Sequence, residues 1–313
     1  MRTEISSLVK SVNWKIKQVK KIVYYKRQAT AAFEKNQQLI AESLRHSNEI
    51  NLIPVPPVGG DGTLDNYFHF IFDFLLPLFL IIERSPKVRI GIPFVNLGYQ
   101  KKYLAKLFSD QVFDSSQNSG KLESIEMHGM NSLLVRSSLS QLSSFKSYVV
   151  NTLGIKLAAS AKKVIVIERA APREKMRLPN VPLSDTGSFK RNIVNHETFR
   201  AFLSENLKKE FEFVNVKLEY CSLEEQVQLF DQSILTIGQH GAGLANLIWM
   251  RASSNVLELR NDLLRRHYLN LSKYIGLNYS HYHQFGSHIT LSKNNLNQMI
   301  RHNSDVQQFF NVK

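Results

Sequence analysis

The sequence predicts an α/β fold with two Rossmann-like domains, each built on a mostly parallel sheet. Two observations support this prediction. Apolar runs typical of buried strands alternate with segments of helical period, which indicates parallel strands joined by helices. The chain has 313 residues, 43% of them hydrophobic, which is sufficient for two cores of ordinary size. We expect a basic helical segment over 1–50, the two domains over 51–155 and 156–285, and a C-terminal helix over 286–313 that packs back on the N-terminal half.

The first thirty residues are basic and amphipathic. Between residues 9 and 27, apolar residues recur at a near-helical spacing beside Lys10, Lys17 and Lys20. This pattern fits a solvated helix packed on the body of the protein. It also fits attachment to an anionic membrane surface, for which the ring of Trp14 is suited. We expect no secretory leader, because Lys and Arg interrupt the whole stretch.

Composition narrows the classes of function. The net charge of +14 favours an anionic partner: nucleic acid, an acidic lipid surface or a phosphorylated ligand. We expect no nucleic-acid partner, since the sequence carries no DNA- or RNA-binding signature. Cys221 is the only cysteine, which excludes an internal disulfide framework and fits a reducing compartment. We therefore expect a cytoplasmic protein, attached peripherally to the inner face of the cell membrane if the N-terminal helix binds lipid.

In the first half, apolar patterns and helix breakers define the elements. A helical segment reaches Arg45, and the Pro- and Gly-rich stretch Pro54–Gly62 ends it. The apolar run Tyr67–Ile82 predicts a long helix, but charged residues and a proline interrupt the run, so we do not expect it to span a membrane. The elements that follow are the strand Val88–Pro93, the helix Gln100–Phe108, the strand Ser132–Val135 and the helix Ser143–Leu153.

The second half opens with the clearest strand of the sequence, Lys162–Glu168 (KKVIVIE). Its run of β-branched residues is typical of a strand buried on both faces. Helices and strands then alternate: the helix Asn195–Lys209, the strand Glu212–Val216, the helix Ser222–Asp231, the strand Ser233–Ile237, a Gly-rich turn with a helix, the strand Asn255–Leu259 and the helix Leu263–Ile275. This order is typical of an open, doubly wound sheet, which binds ligands at the carboxyl ends of its strands.

The Gly-rich turn after Ile237 is the most informative segment. Gly238, Gly241 and Gly243 let the backbone turn sharply and approach a ligand, and the N–H groups at the start of the next helix favour a phosphate. His240 adds a hydrogen-bond donor. The spacing matches neither a dinucleotide fingerprint nor a P-loop, which disfavours redox and kinase functions. A tight turn with a packed histidine explains the same residues.

Three blocks of sequence resemble glycosyltransferase family 61. They are DNYFHFIFDFLLP at Asp65–Pro77, the pair ERAAPR and KRNIVNHE at Glu168–Arg173 and Lys190–Glu197, and GQHGAGLANLIWM at Gly238–Met250, which lies between SLEEQVQLF and VLELR. The resemblance covers about residues 60–285. It implies a GT-B architecture of two domains facing a cleft, inverting transfer from a nucleotide sugar, and a donor site in the C-terminal half that needs no metal or other cofactor.

The resemblance also suggests a biological setting. We expect no signal anchor of the kind found in animal and plant members, and the single cysteine excludes their luminal cysteine pairs. The sequence therefore more closely resembles bacterial enzymes of surface or capsular polysaccharide synthesis. The family suggests a UDP-sugar as the donor. The acceptor is then a glycan or a lipid-linked glycan.

The leaving group of such a transfer is a nucleoside diphosphate, whose negative charge needs fixed donors when no metal is present. Arg169 follows a buried strand directly, so it projects at the carboxyl end, and arginine binds phosphate through two hydrogen bonds. Glu258 ends another strand and is placed to accept hydrogen bonds from ribose hydroxyls. Surface arginines, ion pairs with Glu168 and Glu197, and a solvated carboxylate explain these residues without a ligand. The candidate donor-binding residues are Arg169, Arg173, Arg191, Gly238, His240, Gly241, Ala242, Gly243, Leu244, Asn246 and Glu258.

The first block supplies candidates on the acceptor side. Asn66, His69 and Asp73 are spaced so that one face of an otherwise apolar helix carries all three. Such groups cost about 1–3 kcal/mol each when buried without partners, so they should bond to one another or line the active cleft. Asn66 and His69 are candidate acceptor-side residues, and His69 or Asp73 is the candidate general base. A structural His–Asp pair is the competing explanation.

Two other functions are compatible with these patterns. One is transfer of a non-sugar group, such as pyruvyl or glycerophosphate, to polysaccharide. The other is a non-catalytic scaffold at the membrane surface. The joint presence of Arg169, Arg191 and His240 argues against the scaffold, because a degenerate site has no reason to keep these residues together.

Overall fold

In the computed structural model the chain forms two compact units. One comprises Met1–Val95 with Phe108–Arg136, and the other comprises Asn96–Leu107 with Ser137–Lys313. The structure describes residues 35, 38–46, 48–54, 66–92, 98–109, 111–115, 124–127, 139–171, 187–261, 266–283, 286 and 288–312. The amphipathic segment 9–27, the predicted strand Ser132–Val135 and the candidate residue Arg173 lie outside these ranges.

The first unit contains a parallel sheet of four strands in the order β3-β2-β1-β4. The strands are β1 (Glu49–Pro54), β2 (Arg89–Ile92), β3 (Val112–Asp114) and β4 (Ser124–Met127). β1 pairs with both neighbours, for example Ile50 with Ile90 and Leu52 with Ile125. The strand order 3-2-1-4 is that of a Rossmann-type sheet up to its switch point, which here lies between β1 and β4.

Helices connect these strands. A helix over 38–46 precedes β1. The long helix predicted after β1 is present, in three consecutive parts: Tyr67–Phe70, the π-helical turn Ile71–Leu75 and Leu76–Arg84. Residues 70–82 are all buried, which explains why this helix is apolar on every side. π-Helical turns within α-helices are frequently found at functional sites.

The second unit contains a parallel sheet of five strands in the order β10-β9-β8-β5-β7, and β6 pairs separately with β11. The strands are β5 (Lys163–Ile167), β6 (Asn192–Ile193), β7 (Glu212–Val216), β8 (Ser233–Gln239), β9 (Asn255–Arg260), β10 (Asn278–His283) and β11 (His288–Ile289). In chain order the large sheet runs 2-1-3-4-5, a doubly wound arrangement. Its switch point, where ligands bind, lies between β5 and β8.

The strands of the second unit are joined by helices, and two 3₁₀ helices follow β7 and β8. Ser222 and Glu225 form a capping box that begins the helix Leu223–Asp231. Gly276 ends the helix His267–Ile275 in the left-handed conformation that favours glycine. The other α-helices are Gly98–Phe108 (up to Leu107 in this unit), Leu139–Thr152, Gly187–Lys190, His196–Asn206, Lys293–Arg301 and Ser304–Gln307, and the 3₁₀ helices are Leu218–Tyr220 and Ala242–Trp249.

The helix Leu139–Thr152 belongs to the second unit, so the boundary differs from the expected position near residue 155. Phe145 packs against Trp249 with ring centroids 5.9 Å apart. Lys146 Nζ donates to the carbonyls of Trp249 and Met250 at 2.7 and 2.9 Å. Tertiary contacts of this kind, which no local pattern reveals, place the helix with the residues that follow it.

The C-terminal helix also differs from expectation. It was expected to pack on the N-terminal half, yet Leu296, Met299 and Ile300 are buried in the core of the second unit together with Val164 and Leu235. The spacing of these three residues creates one apolar face on an otherwise polar helix. That face covers the sheet of its own unit.

Six of the described strands were not predicted, namely β1, β3, β4, β6, β10 and β11. β1 reads EINLIP, in which Glu49 and Asn51 alternate with the buried Ile50 and Leu52. This alternation is short and ends at Pro54, where the predicted loop begins, so no strand was assigned to it. The Gly-rich turn leads into the 3₁₀ helix Ala242–Trp249, where a helix was predicted. In the part of the chain that the structure describes, no helix combines the length and apolar character needed to cross a membrane.

Candidate functional site

Two arginines approach one backbone carbonyl at the switch point of the five-stranded sheet. Arg169 lies two residues after β5, and Arg191 immediately precedes β6. Arg191 Nη1 donates to the carbonyl of His240 at 3.0 Å, and Arg169 Nη1 lies 3.5 Å from the same oxygen. Because His240 directly follows β8, the three residues meet at the carboxyl ends of β5 and β8, where sheets of this type bind ligands.

Gly241 leaves space for the Arg169 guanidinium. A Cβ atom at this position would lie 2.0 Å from Arg169 Nη1, well inside contact distance. The Gly241 backbone is extended, so the need for glycine arises from this close approach and not from the backbone conformation. The Gly241 carbonyl accepts a 2.5 Å hydrogen bond from the buried Tyr268 hydroxyl, which holds the turn against the helix His267–Ile275.

The two guanidinium groups make this edge of the sheet positive. Burial, and then the like charge of Arg191, lower the pKa of Arg169, while the carboxyl of Glu219 acts in the opposite sense. An anion between two such cations relieves their repulsion, and arginine binds phosphate through paired hydrogen bonds. The first N–H groups of the helix Ala242–Trp249 add to this preference for an anion. The arrangement therefore suits a diphosphate group.

His240 is buried and held by Glu258, which is 1% exposed. The Nδ1 atom of His240 is hydrogen-bonded to Glu258 Oε1, and the Tyr279 hydroxyl donates to Glu258 Oε2. Arg260 Nε lies 3.9 Å from the same carboxylate oxygen. Burial and the adjacent Glu258 raise the pKa of Tyr279, so its hydroxyl stays protonated and donates.

This network changes the interpretation of Glu258. The sequence suggested that its carboxylate binds ribose hydroxyls, but both oxygens are buried and engaged by protein groups. Glu258 instead orients the His240 ring. With Nδ1–H directed at the carboxylate, Nε2 is the ring nitrogen left for another partner.

Three other candidate residues, Gly238, Gly243 and Leu244, lie in close packing within the protein. A Cβ atom at Gly238 would lie 3.1 Å from Leu244 and 3.2 Å from Ile167, and one at Gly243 would lie 3.1 Å from Leu218. Leu244 itself is buried. These two glycines therefore permit close packing of the strand and the 3₁₀ helix over the sheet.

Asn246 is also a structural residue. Its Nδ2 donates to the carbonyl of Gly243 at 3.1 Å, and its Oδ1 accepts from Trp249 Nε1 at 3.0 Å. Asn246 is fully buried, so both ends of the amide are used within its own helix. Ala242 is the first residue of that helix and contributes one of the backbone N–H groups at its start.

In the first unit, His69 and Asp73 form a hydrogen-bonded pair. His69 Nδ1 lies 2.5 Å from Asp73 Oδ2, within the stretch where the helix changes to its π-helical turn. Asp73 is buried, whereas the His69 side chain is 17% exposed. Burial raises the pKa of Asp73, and the hydrogen bond from His69 opposes that rise. His69 is therefore the more accessible residue of the pair.

Asn66 has a different position from the other two residues of the polar stripe. It is the N-cap of the helix that begins at Tyr67, and its Oδ1 accepts from the backbone N–H of Phe68 at 3.0 Å. Capping satisfies a backbone donor that the first helical turn leaves open. This capping role explains Asn66 without any contact to an acceptor substrate.

Residues 67–257 match the model of the family Glycosyltransferase 61. The matched region is more than half of the 313 residues. The chain belongs to glycosyltransferase family 61. Among curated proteins, none matches it. Membership means that this glycosyltransferase acts on a sugar donor and an acceptor, and its parallel α/β sheets are in keeping with a family that is generally GT-B-like.

Sequence reasoning missed several residues of this glycosyltransferase. Tyr268 fixes the turn at Gly241, and Tyr279 completes the Glu258 network. Glu168, at the end of β5, was considered only as an arginine partner, yet it pairs with Lys217. Side chains alternate along β10, which indicates only that Tyr279 and every second residue share a face of the strand. No local pattern identifies the residue to which the Tyr279 hydroxyl donates. In the described part of the chain, no group of three His, Cys, Asp or Glu residues is arranged to hold a metal ion.

The structural role of Asn246 leads to a specific prediction. Asn246→Ala leaves the buried Trp249 Nε1–H without its acceptor, so we expect the free energy of unfolding to fall by about 1–3 kcal/mol. Nucleotide affinity of the folded glycosyltransferase should be unchanged. Chemical denaturation and calorimetric titration with UDP measure the two effects. A variant of normal stability that has lost nucleotide affinity would return Asn246 to the donor site.

Proposed function

We propose that this glycosyltransferase transfers a sugar from a nucleotide sugar, preferentially a UDP-sugar, to a glycan or lipid-linked glycan acceptor of surface polysaccharide synthesis. Transfer occurs with inversion at the anomeric carbon and without a bound metal ion. The finer architecture belongs to the same proposal: two Rossmann-like domains that face a cleft, with the donor on the C-terminal domain. The inverting outcome and the polysaccharide setting rest on the resemblance of the sequence blocks to the family.

The single observation that carries the proposal is the convergence of Arg169 and Arg191 on the carbonyl of His240. Both guanidinium groups lie where a doubly wound sheet binds ligands, and Gly241 makes room for one of them. Positive groups fixed in this way stabilise the charge that develops on a departing diphosphate, which is the role a metal ion plays in other transferases.

In the proposed reaction, the acceptor hydroxyl oxygen attacks the anomeric carbon of the donor sugar. The bond from that carbon to the diphosphate oxygen breaks, and its electron pair leaves with the nucleoside diphosphate. Arg169 and Arg191 stabilise the resulting negative charge, and His240 adds a donor at Nε2 when its ring carries both protons, since Nδ1–H is directed at Glu258. His69 takes the proton of the acceptor hydroxyl at Nε2, because its Nδ1 is held by Asp73.

Thermal stability in the presence of nucleotides tests the donor proposal. With EDTA present, UDP or a UDP-sugar at a hundred times its dissociation constant should raise the melting temperature by about 5 °C, because ligand binding at that excess stabilises by about 2.7 kcal/mol. GDP and CMP are the comparison ligands. Stabilisation that appears only with added magnesium or manganese would contradict the metal-free site, and stabilisation by no nucleotide would favour the scaffold.

The localisation and the membrane contact are further parts of this proposal. A cytoplasmic protein with a basic N-terminal helix can reach a lipid-linked acceptor at the inner face of the membrane. The high net charge of +14 supports an anionic surface as partner. The segment 9–27, which would make that contact, lies outside the described residues.

A further inference from the structure

A polar pocket of about 450 Å³ lies beside the two arginines, within the second unit. It opens at the carboxyl ends of β5 and β7 and is bounded by the start of the helix His196–Asn206. Arg169 forms part of its wall, so the pocket is continuous with the proposed diphosphate position. Other residues that line the pocket include Glu168, His196, Lys217 and Tyr220.

Glu168 is the centre of the polar contacts in this pocket. Its Oε1 lies 2.9 Å from Lys217 Nζ, and its Oε2 accepts from Asn215 Nδ2 at 2.7 Å. His196 Nε2 is 2.9 Å from Asn215 Oδ1 and 3.5 Å from Glu168 Oε2. Burial alone would raise the pKa of Glu168, but the hydrogen bonds from Lys217 and Asn215 bring the pKa below its ordinary value. The carboxylate is thus ionised at neutral pH and fixed in position.

An ionised carboxylate fixed in this way keeps the capacity to bind hydroxyl groups. Each carboxylate accepts at about four lone-pair positions, and the hydrogen bonds from Lys217 and Asn215 use two of them. The side chain is 21% exposed, so part of it faces the pocket. Vicinal sugar hydroxyls, which are neutral donors, match such a carboxylate, whereas an anionic group would be repelled by it.

The position of the pocket decides which part of the donor it takes. A nucleotide sugar carries a nucleoside on one side of the diphosphate and the transferred sugar on the other. The anomeric carbon must stay accessible to the acceptor, so a recess in the wall of the second unit suits the nucleoside. Its volume is in the lower part of the range of about 300–1,000 Å³ found for small-molecule sites, and Tyr220, 57% exposed, offers a ring against which a base can pack.

We propose that this pocket holds the nucleoside of the donor, with Glu168 accepting hydrogen bonds from its ribose hydroxyls. Glu168 thereby takes the role that the sequence suggested for the buried Glu258. The inference rests on the proposed function, since it assumes that the diphosphate lies at Arg169 and Arg191.

Affinities for UDP, 2′-deoxy-UDP and 3′-deoxy-UDP, measured by calorimetry with EDTA, test the proposal. The native protein should prefer UDP to at least one deoxy analogue by about tenfold or more, the usual effect of a hydrogen bond to a charged group. In Glu168→Gln that preference should shrink to about threefold or less, through weaker binding of UDP and not of the analogue. Glu168→Ala serves as a second variant, since it removes the acceptor entirely.

A matched control is available at the opposite end of the same strands. Glu212 pairs with Lys163 at 3.6 Å, where β7 and β5 begin, so Glu212→Gln changes the same kind of pair far from the pocket. It should keep the full preference for UDP. Native protein that binds UDP without discriminating against either analogue, or Glu168 variants that still discriminate, would overturn the nucleoside assignment while leaving the donor site intact. Native protein that binds no UDP would overturn the proposed function itself, and this inference with it.

Discussion

Replacement of His69 by alanine, or of Asp73 by asparagine, should reduce turnover by about a hundredfold or more, the usual contribution of a general base. The hydrogen bond between His69 Nδ1 and Asp73 Oδ2 fixes the ring, so either change removes a correctly oriented base. Affinity for UDP should change little, because the two residues belong to the first unit and the donor residues to the second. Steady-state sugar transfer and calorimetric titration separate the two effects.

The competing explanation for the pair is structural, and controls distinguish it. Loss of the buried hydrogen bond of Asp73 costs about 1–3 kcal/mol of stability, so each variant must be checked by circular dichroism and denaturation. Glu83→Gln, an exposed position on the same helix, is the control and should keep full turnover. Folded His69 and Asp73 variants that bind UDP and transfer sugar at near-native rates would end the assignment of the base.

Gly241→Ala should weaken UDP binding by about tenfold and slow transfer by about 10²–10³-fold, comparable to loss of a group that stabilises the transition state. The new Cβ would lie 2.0 Å from Arg169 Nη1. Because this atom is the far end of a flexible side chain, the guanidinium can move away and the fold should persist. The displaced guanidinium no longer faces the diphosphate. Transfer rates and UDP affinity of the purified variant measure the effect.

A double-mutant cycle tests the physical cause. If Gly241→Ala acts by displacing Arg169, then the same change should have little further effect in an Arg169→Ala background, since the group that it displaces is already absent. Strict additivity of the two changes would mean that Gly241 has another role, such as direct contact of its backbone with the donor.

Elements with a strong local pattern could be predicted from the sequence, whereas features that depend on contacts between distant residues could not. β5 was predicted within one residue at each end, because its apolar run needs both faces buried and carries its own signal. β1 was not predicted, since its short alternation ends at the proline that begins the predicted loop. β10 was not predicted, since its polar residues are accommodated by pairing with β9, which no local pattern reveals. The helix Leu139–Thr152 was predicted as an element but assigned to the other unit, because Phe145 packs against a residue about a hundred positions later.

The difference between local patterns and tertiary contacts also applies to the candidate site. The carboxyl ends of strands can be predicted from their patterns, and ligands of such sheets bind at these ends, so the sequence predicts that Arg169 and the turn at Gly241 lie at the ligand site. Whether a polar side chain faces a ligand or a neighbour cannot be predicted in that way. Asn246 and Glu258 bond within the protein, and Glu168, which was considered only as an ion-pair partner, lines the pocket. These outcomes depend on side-chain directions that only the assembled sheet defines.

In the proposed donor site, the edge between β5 and β8 holds the diphosphate through arginine rather than through metal. An experimental structure of the protein with UDP, prepared in EDTA, tests it most directly. We expect diphosphate oxygens within hydrogen-bonding distance of the guanidinium groups of Arg169 and Arg191, beside the turn at Gly241. UDP bound elsewhere, or bound only after a divalent metal ion is supplied to bridge its phosphates, would contradict it.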